Sequence, residues 1–223
     1  MGPETMNGKQ VLIYGSGGHG RVILDILQNM TGVSVAGFID DNACSEGEQA
    51  EGVRVLGTSA DLPRLRSAGI RYIVIAVGDN YIRARLFDHI IHEEFEPFNA
   101  IHPRTIISND VVLGRGVVVM PGAVINTGTK IGDNACINTS ASIDHDNRIG
   151  HHTHVYPGAI LTGGVSVGDF SYIGTNATIN PYLSVGEHVM IGSGAVVTSD
   201  IADCVTAVGI PARIIKRKET LYG

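Results

Sequence analysis

The 223-residue sequence has no tryptophan, few other aromatic residues and no long apolar run. Phe and Tyr together make up 5% of it, so aromatic packing is not the basis of its core. No apolar stretch approaches the roughly 18 residues of a transmembrane helix. The opening residues, MGPETMNGKQ, contain no apolar segment of the kind that a secretory signal requires. We therefore expect neither a membrane span nor an export signal.

Charge and cysteine are also scarce. Charged residues make up 17% of the chain, and the net charge is −6 with no basic cluster, which argues against nucleic acid or an anionic membrane as the main partner. The three cysteines, Cys44, Cys136 and Cys204, are widely spaced and form no C-x-x-C pair. An odd, scattered set predicts reduced thiols in a cytoplasmic protein, and argues against a disulfide framework or a thiolate zinc site.

Glycine and a six-residue repeat are what the sequence has in excess. Gly supplies 29 residues, roughly twice its usual share of about 7%. From residue 101 to residue 197 every sixth position is Ile, Leu or Val. These positions are Ile101, Ile107, Leu113, Val119, Ile125, Ile131, Ile137, Ile143, Ile149, Val155, Leu161, Val167, Ile173, Ile179, Val185, Ile191 and Val197. A small residue usually follows four positions later, and Gly often follows directly.

A period of six matches neither an α-helix nor a long alternating strand. It predicts a solenoid of short strands with three hexads per triangular coil, in which the aliphatic side chain points inward and Gly allows the turn. Residues 101–211 closely resemble the hexapeptide left-handed parallel β-helix superfamily, whose members mostly transfer acyl groups. The repeat alone also fits a structural spacer, or a zinc enzyme similar to the γ-class carbonic anhydrases.

Residues 1–100 have the alternating pattern of an α/β domain. Strands are predicted at residues 11–14, 34–39, 53–56 and 72–77, and helices at 21–29, 62–68 and 81–92. Strand, Gly-rich turn, helix and strand form a βαβ unit, so we expect half of a Rossmann-like fold with a parallel sheet. The remaining residues, 212–223, are expected to form a C-terminal tail.

The turn after the first strand, GSGGHG at 15–20, fits G-x-G-x-x-G, and Asp40 follows Gly20 by twenty residues. This pattern alone predicts a dinucleotide site. About 90 residues supply only half of a dinucleotide fold, however, so a mononucleotide-sized ligand with its phosphates at the helix N-terminus fits better. The glycines would equally serve a tight turn with no ligand at all.

Both halves together resemble one family, the PglD-like or NeuD-like sugar acetyltransferases, across nearly the whole chain. The resemblance depends on GSGGHG (15–20), FIDD (38–41), AVGDN (76–80), NAIHP (99–103), INTSASIDHD (137–146) and GIPAR (209–213). It implies transfer of acetyl from acetyl-CoA to the 4-amino group of a nucleotide-linked (UDP, GDP or dTDP) 4-amino-deoxy sugar, for surface glycan synthesis. O-acetylation of sialic acid or another sugar, and a non-catalytic nucleotide-sugar-binding scaffold, are the alternatives.

His145 is the candidate general base, since imidazole titrates near neutral pH, and the adjacent Asp146 is positioned to orient it. Gly163 follows after three hexads, or one full coil, so its backbone N–H is the candidate oxyanion donor. Gly164 is assigned with it to the cofactor site. His154 follows His145 by half a coil, and the resemblance implies that it contacts the acetyl group. The two histidines then share a site only across a subunit interface, which predicts a homotrimer.

The remaining site residues come from the two ends of the chain. The resemblance places Pro211, Ala212 and Arg213 against coenzyme A, with Lys216, Arg217 and Lys218 near its 3′-phosphate or simply in a solvated tail. The nucleotide-sugar is expected to contact residues of the N-terminal domain, namely Ser16, Gly17, Gly18, His19, Asp40, Asp41, Gly78, Asn80 and Arg83. A metal site at His151, His152 and His154 is disfavoured, because consecutive turn residues diverge; we expect no metal.

Overall fold

The computed structural model describes residues 8–42, 49–50 and 52–217. Cys44 and Lys218, both considered above, lie outside these residues. The chain divides into two compact units, Met1–Pro103 and Arg104–Gly223. Among the described residues, no helix combines the length and the apolar character needed to cross a membrane.

The first unit is an α/β fold whose short parallel sheet has the order β2-β1-β5-β6. Its elements are β1 (Lys9–Tyr14), α1 (Gly18–Asn29), β2 (Val33–Ile39), β3 (Gln49–Ala50), β4 (Val53–Arg54), a 3₁₀ turn (Ser59–Asp61), α2 (Leu62–Ser67), β5 (Tyr72–Ile75), α3 (Asn80–His92), β6 (Glu96–Pro97) and β7 (Ala100–Ile101). Residues 11–14 of β1 are all buried, as expected of a parallel strand covered on both faces. The predicted Rossmann-like half is therefore confirmed.

Two helices start slightly earlier than the sequence predicted. Helix α1 begins at Gly18, three residues before the predicted start, with Gly17 as its N-cap. Helix α3 begins at Asn80 because the Asp79 side chain accepts hydrogen bonds from the N–H groups of Tyr81 and Ile82. Both helices therefore begin directly after a strand of the parallel sheet, which points their N-termini toward the carboxyl ends of β1 and β5.

The second unit is a parallel β-helix built from two-residue strands. They are β8 (Ile106–Ile107), β9 (Val112–Leu113), β10 (Val118–Val119), β11 (Val124–Ile125), β12 (Lys130–Ile131), β13 (Cys136–Ile137), β14 (Ser142–Ile143), β15 (Arg148–Ile149), β16 (His154–Val155), β17 (Ile160–Leu161), β18 (Ser166–Val167), β19 (Tyr172–Ile173), β20 (Thr178–Ile179), β21 (Ser184–Val185), β22 (Met190–Ile191) and β23 (Val196–Val197), followed by β24 (Val205–Val208) and β25 (Arg213–Arg217). Strands that are one coil apart pair in parallel register, as in Cys136 with His154. The predicted hexapeptide solenoid is confirmed.

Three sheets form the faces of the prism. We call them the first face (β10, β13, β16, β19, β22, β24), the second face (β8, β11, β14, β17, β20, β23) and the third face (β9, β12, β15, β18, β21). From Val119 to Val197 every aliphatic hexad position is buried, whereas Ile107 and Leu113 are only half-buried because their coil lies at the start of the stack. This inward column is the core of the unit.

The turns differ from the prediction. The left-handed conformation does not occur at the glycines that directly follow the aliphatic residue. It occurs three positions after the aliphatic residue, at every sixth residue from Gly116 to Gly194. A Cβ on Gly114, Gly132, Gly150, Gly168 or Gly186 would lie 2.6–2.7 Å from a backbone nitrogen of the next coil. These glycines are therefore required by close approach between stacked coils and not by the turn.

The segment after the last hexad is also more ordered than a tail. Strand β25 pairs in antiparallel register with β24, and all five of its residues are exposed. Ala212 N–H donates to Val196 O at 2.7 Å, and Val196 N–H donates to Gly209 O at 3.0 Å. Residues 209–212 are thus held against the last coil of the second face.

We expect Gly150→Ala to lower the free energy of unfolding by about 3 kcal/mol, because the new Cβ would lie 2.6 Å from Asp169 N. Urea unfolding followed by circular dichroism measures the loss. Gly194→Ala is the control: its φ is +68° but no atom lies within 4 Å of the added Cβ, so backbone strain of about 1 kcal/mol is the whole cost. Equal losses in the two variants would contradict the close-approach explanation.

Candidate functional site

His145 lies in the turn between the second and third faces, directly after strand β14. Its Nδ1 donates to Asp146 Oδ2 at 2.9 Å, which leaves Nε2 as the ring's proton acceptor. Asp146 occupies the left-handed turn position, with φ +58°. The turn thus places a carboxylate beside the imidazole at a backbone position that usually favours Gly or Asn.

A second carboxylate, Asp144, holds the backbone of His145 and adds negative charge near its ring. Asp144 Oδ1 accepts the His145 N–H at 2.8 Å and the Asn126 amide at 3.1 Å. These two hydrogen bonds hold the pKa of Asp144 below its usual value. The hydrogen bond to Asp146, and then the nearby negative charges of Asp144 and Asp146, raise the pKa of His145 above its ordinary value.

Gly163 contacts the free edge of the imidazole, as its one-coil spacing predicted. A Cβ built on Gly163 would lie 2.5 Å from His145 Nε2, so only glycine lets the two approach. Gly164 N–H donates to His145 O at 2.9 Å. Within the described residues the Gly163 N–H donates to no acceptor, and it therefore remains available to a ligand oxygen. We call residues 144–147 with Gly163 and Gly164 the histidine corner.

Asn147 belongs to the histidine corner, although the sequence did not predict it as a site residue. The side chain is fully buried, and its amide donates to Asp144 O at 2.7 Å, Thr162 O at 3.0 Å and His145 O at 3.2 Å. It thus ties the turn that carries His145 to the residue before Gly163. The signal was a large polar residue at a position where the hexads on either side have Ala and Thr.

His154 lies on the first face, across the prism from the histidine corner. Its ring stacks on Tyr156 with centroids 4.1 Å apart, and Asn138 Nδ2 lies 3.2 Å from its Nε2. Only 2% of the residue is exposed. One chain does not bring His145 and His154 together, which agrees with the half-coil offset, and His154 could offer a ligand only the edge of its ring.

The neighbouring histidines have partners within the fold. His151 Nδ1 accepts the Asp133 N–H at 2.9 Å, and His152 stacks on Phe170 with centroids 4.8 Å apart. In the part of the chain that the structure describes, no group of three His, Cys, Asp or Glu side chains is arranged to hold a metal ion.

The Gly-rich turn of the first unit divides into two pairs of glycines. A Cβ on Gly20 would collide with Gly15 O, and Gly15 itself has φ +109°, so this pair is required by the fold. Gly17 and Gly18 have no atom within 4 Å of an added Cβ, and both are at least partly open to solvent. They lie at the N-terminus of α1, where backbone N–H groups favour an anion.

Asp40 and Asp41 hold the turn in place. Asp40 Oδ2 accepts the Ser16 N–H at 2.8 Å and the Ser16 hydroxyl at 2.7 Å. Asp41 accepts the Tyr14 hydroxyl at 2.6 Å and the Ser59 N–H at 2.8 Å. Burial alone would raise the pKa of both carboxyl groups, but these hydrogen bonds outweigh it and lower the pKa of each. The oxygens expected to meet a ligand are therefore already engaged within the protein.

Asn80 and Arg83 are less accessible than the sequence suggested. Asn80 is fully buried and Arg83 is 1% exposed. The Arg83 guanidinium donates to Val77 O and Gly78 O, both at 3.2 Å, and to Asn80 Oδ1 at 2.7 Å. Burial, followed by the Arg83 charge, lowers the pKa of His19 to about 4. His19 is therefore neutral near pH 7 and offers phosphate a hydrogen bond but no positive charge.

In the C-terminal segment, Ala212 is buried, and Pro211 and Arg213 are exposed. Lys216 and Arg217 are exposed on strand β25. The segment therefore presents a basic, partly apolar strand next to the last coil, and its contact with coenzyme A stays a prediction.

Both halves of the chain are similar to known protein families. Residues 10–90 match the family model "PglD N-terminal domain", and residues 110–145 match "Bacterial transferase hexapeptide (six repeats)". Two curated relatives are GDP-perosamine N-acetyltransferase of Escherichia coli O157:H7, 32% identical over 62% of this chain, and UDP-N-acetylbacillosamine N-acetyltransferase of Bacillus subtilis (strain 168), 36% identical over 50% of it. The matches span only 63% and 51% of those two proteins.

A solved structure matches over a longer range. It is the structure of a histidine-to-asparagine mutant of perosamine N-acetyltransferase from Caulobacter crescentus, in complex with CoA and GDP-perosamine. The TM-score is 0.89 and the identity 39%, over 93% of this chain and 97% of that one.

We expect Asp146→Asn to lower the pKa of His145 toward its ordinary value, because the replacement removes the carboxylate that holds the protonated ring. Titration of the imidazole resonances by NMR measures the pKa directly. Asp133→Asn, at the edge between the third and first faces, is the matched control and should leave the His145 pKa unchanged. An unchanged pKa in Asp146→Asn would refute the assigned pairing.

Proposed function

Because the chain belongs to the PglD-like family of hexapeptide-repeat sugar N-acetyltransferases, we propose that it transfers acetyl from acetyl-CoA to the 4-amino group of a nucleotide-linked 4-amino-deoxy sugar. The observation that carries the proposal is the contact between the His145–Asp146 pair and Gly163. It places a proton acceptor beside an available amide donor, which are the two groups that amine acetylation needs.

The proposed reaction is a direct transfer. The sugar amine attacks the thioester carbonyl carbon, and the Gly163 N–H stabilises the resulting oxyanion. His145 Nε2 takes the proton from the amine nitrogen, while Asp146 and Asp144 stabilise the imidazolium that forms. The C–S bond then breaks, and the departing thiolate receives the proton from His145. No acyl-enzyme is needed, and no cysteine lies in the histidine corner.

The amine acceptor is favoured over a hydroxyl acceptor, because the relatives compared above are named as N-acetyltransferases of amino sugars. A non-catalytic scaffold would not need a histidine ring held by the Asp146 carboxylate beside a glycine. UDP, GDP and dTDP sugars are the candidates of the proposal, and the names of the two relatives include GDP and UDP.

The proposal includes a homotrimer. The outward residues of the second face, next to the histidine corner, are all uncharged: Ile106, Val124, Ser142, Ile160, Thr178 and Val196. Ile106 is 67% exposed and Ile160 43% exposed in the single chain, as expected of a surface that another copy covers. Such packing would place the first face of one subunit, with His154, near the histidine corner of the next.

A cytoplasmic location belongs to the same proposal. Acetyl-CoA and nucleotide-linked sugars are cytoplasmic metabolites, and Cys136 and Cys204 are free thiols, which suit a reducing compartment.

We expect His145→Ala to lower kcat by roughly 10²–10⁴-fold while the Kd for coenzyme A stays within about twofold of the wild-type value. The ring removes a proton only in the reaction, so its loss affects turnover and not donor binding. Thiol release with a panel of nucleotide amino sugars measures kcat, and calorimetry measures the Kd. Wild-type turnover in the variant would remove His145 from the mechanism.

The shared site is tested by mixing subunits. His145→Ala and His154→Ala homotrimers, each weakly active, should regain activity after subunit exchange if the two side chains act across an interface. A protein that is fully active as a monomer would contradict this arrangement.

We expect Gly17→Val to raise the KM for the nucleotide-sugar by about tenfold or more, with the melting temperature and the KM for acetyl-CoA unchanged. Gly17 has extended φ and ψ angles that Val tolerates, and its Cβ would meet no protein atom, so only a ligand would be displaced. Calorimetry with UDP-, GDP- and dTDP-linked sugars, and with NAD as comparator, identifies the nucleotide. Tight binding of NAD alone would overturn the assignment.

A further inference from the structure

Tyr182 occupies a backbone position that disfavours its side chain. Its φ is +61°, in the left-handed region where a bulky residue is strained. The residue is 76% exposed, so burial of its ring within the chain does not offset that strain. The equivalent position of this turn recurs every 18 residues, one coil apart, and in two of the other coils it is glycine, Gly128 and Gly164.

Phe170 provides the comparison, since it is an aromatic residue at the equivalent position of another turn, with φ +58°. Its ring stacks between His152, at 4.8 Å, and His188, at 5.0 Å. These contacts explain why an aromatic residue is tolerated there. Within the described residues the Tyr182 ring stacks on no other ring and its hydroxyl has no hydrogen-bond partner.

The position of Tyr182 links it to the histidine corner. Its N–H donates to Gly163 O at 2.9 Å. The ring lies over Gly164, where an added Cβ would be 2.5 Å from Tyr182 Cδ1. Tyr182 therefore lies one coil beyond Gly164, the neighbour of the glycine whose N–H is the candidate oxyanion donor, and its exposed ring faces the same edge of the prism.

The coil of Tyr182 also lies between the two places assigned to the acyl donor. The proposed function places the thioester at Gly163. The segment 209–213, whose Pro211, Ala212 and Arg213 were assigned to coenzyme A ahead of the basic residues near its 3′-phosphate, is held on Val196 of the last coil. Coils are stacked about 4.8 Å apart. A donor that spans from Gly163 to this segment must pass the coil that carries Tyr182.

We propose that the Tyr182 ring is the wall against which the pantetheine arm of acetyl-CoA packs next to its thioester, so that Tyr182 determines affinity for the acyl donor. The inference rests on the proposed function and adds a donor-binding residue to it. The backbone strain at Tyr182 is then maintained for ligand binding and not for folding.

The test compares Tyr182→Gly with Phe170→Gly. Gly relieves the strain at both positions, so Tyr182→Gly should keep or raise the melting temperature, whereas Phe170→Gly should lower it because two ring contacts are lost. Tyr182→Gly should also raise the KM for acetyl-CoA and the Kd for coenzyme A about tenfold. The kcat and the KM for the nucleotide-sugar should stay within about twofold, and Phe170→Gly should leave all four constants unchanged.

Two further measurements locate the contact. Tyr182→Phe should behave like the wild type, since the ring and not the hydroxyl packs on the arm. S-acetylpantetheine, which lacks the nucleotide, should show the same fold-increase in KM with Tyr182→Gly as acetyl-CoA does. A penalty seen only with acetyl-CoA would place the ring at the nucleotide and overturn the proposal.

Three outcomes with Tyr182→Gly would overturn the proposal in favour of a structural or interface role. They are an unchanged affinity for coenzyme A, a fall in melting temperature like that of Phe170→Gly, and a change of oligomeric state on size exclusion. Calorimetry separates this outcome from failure of the proposed function. A wild-type protein that binds no coenzyme A refutes the function itself, whereas equal binding by wild type and variant refutes only the role of Tyr182.

Discussion

Backbone hydrogen bonds between successive coils are the constraint on which the second unit depends. Cys136 N–H donates to Thr153 O and Asn138 N–H donates to Val155 O, both at 2.9 Å, and the pattern repeats up the stack. Because every coil consists of three hexads, residues that are one coil apart must stack with almost no freedom. The contact between His145 and Gly163 follows from this register, and so does the close approach that makes glycine obligatory in the column from Gly114 to Gly186.

The same register limits where chemistry can occur. The prism interior is filled by aliphatic side chains, so functional groups must lie at the turns or on the outward faces. Most turns use glycine, Asn, Ser or Asp at the left-handed position, where the strain is small. At the histidine corner this position holds Asp146, and the buried Asn147 amide donates to two carbonyl groups of this turn and to Thr162 O of the next coil. Local irregularity in a regular solenoid is thus a sign of function, since the repeat alone would not require it.

The sequence predicted the solenoid because a single period controls both burial and pairing, and it predicted His145, Asp146 and Gly163 because spacing in a solenoid converts directly into distance. It did not predict which residue of each hexad takes the left-handed conformation, since Phe170 and Tyr182 are residues that local preference excludes there. It gave no indication that Arg83 is buried, because only the three-dimensional arrangement supplies the side-chain and backbone oxygens that accept from its guanidinium.

The Gly-rich turn of the first unit shows how one motif can serve two purposes. Gly15 and Gly20 touch each other and cannot carry a side chain, whereas Gly17 and Gly18 face open space and could. Packing therefore explains only half of the motif. The proposed nucleotide-sugar would account for the other half, because its phosphates need the backbone N–H groups of the α1 N-terminus within reach. Asp40 accepts hydrogen bonds from both the N–H and the hydroxyl of Ser16 and keeps that backbone in place. Asp40, which the sequence assigned to the ligand, holds this turn in the structure, and its contact with the nucleotide-sugar stays a prediction.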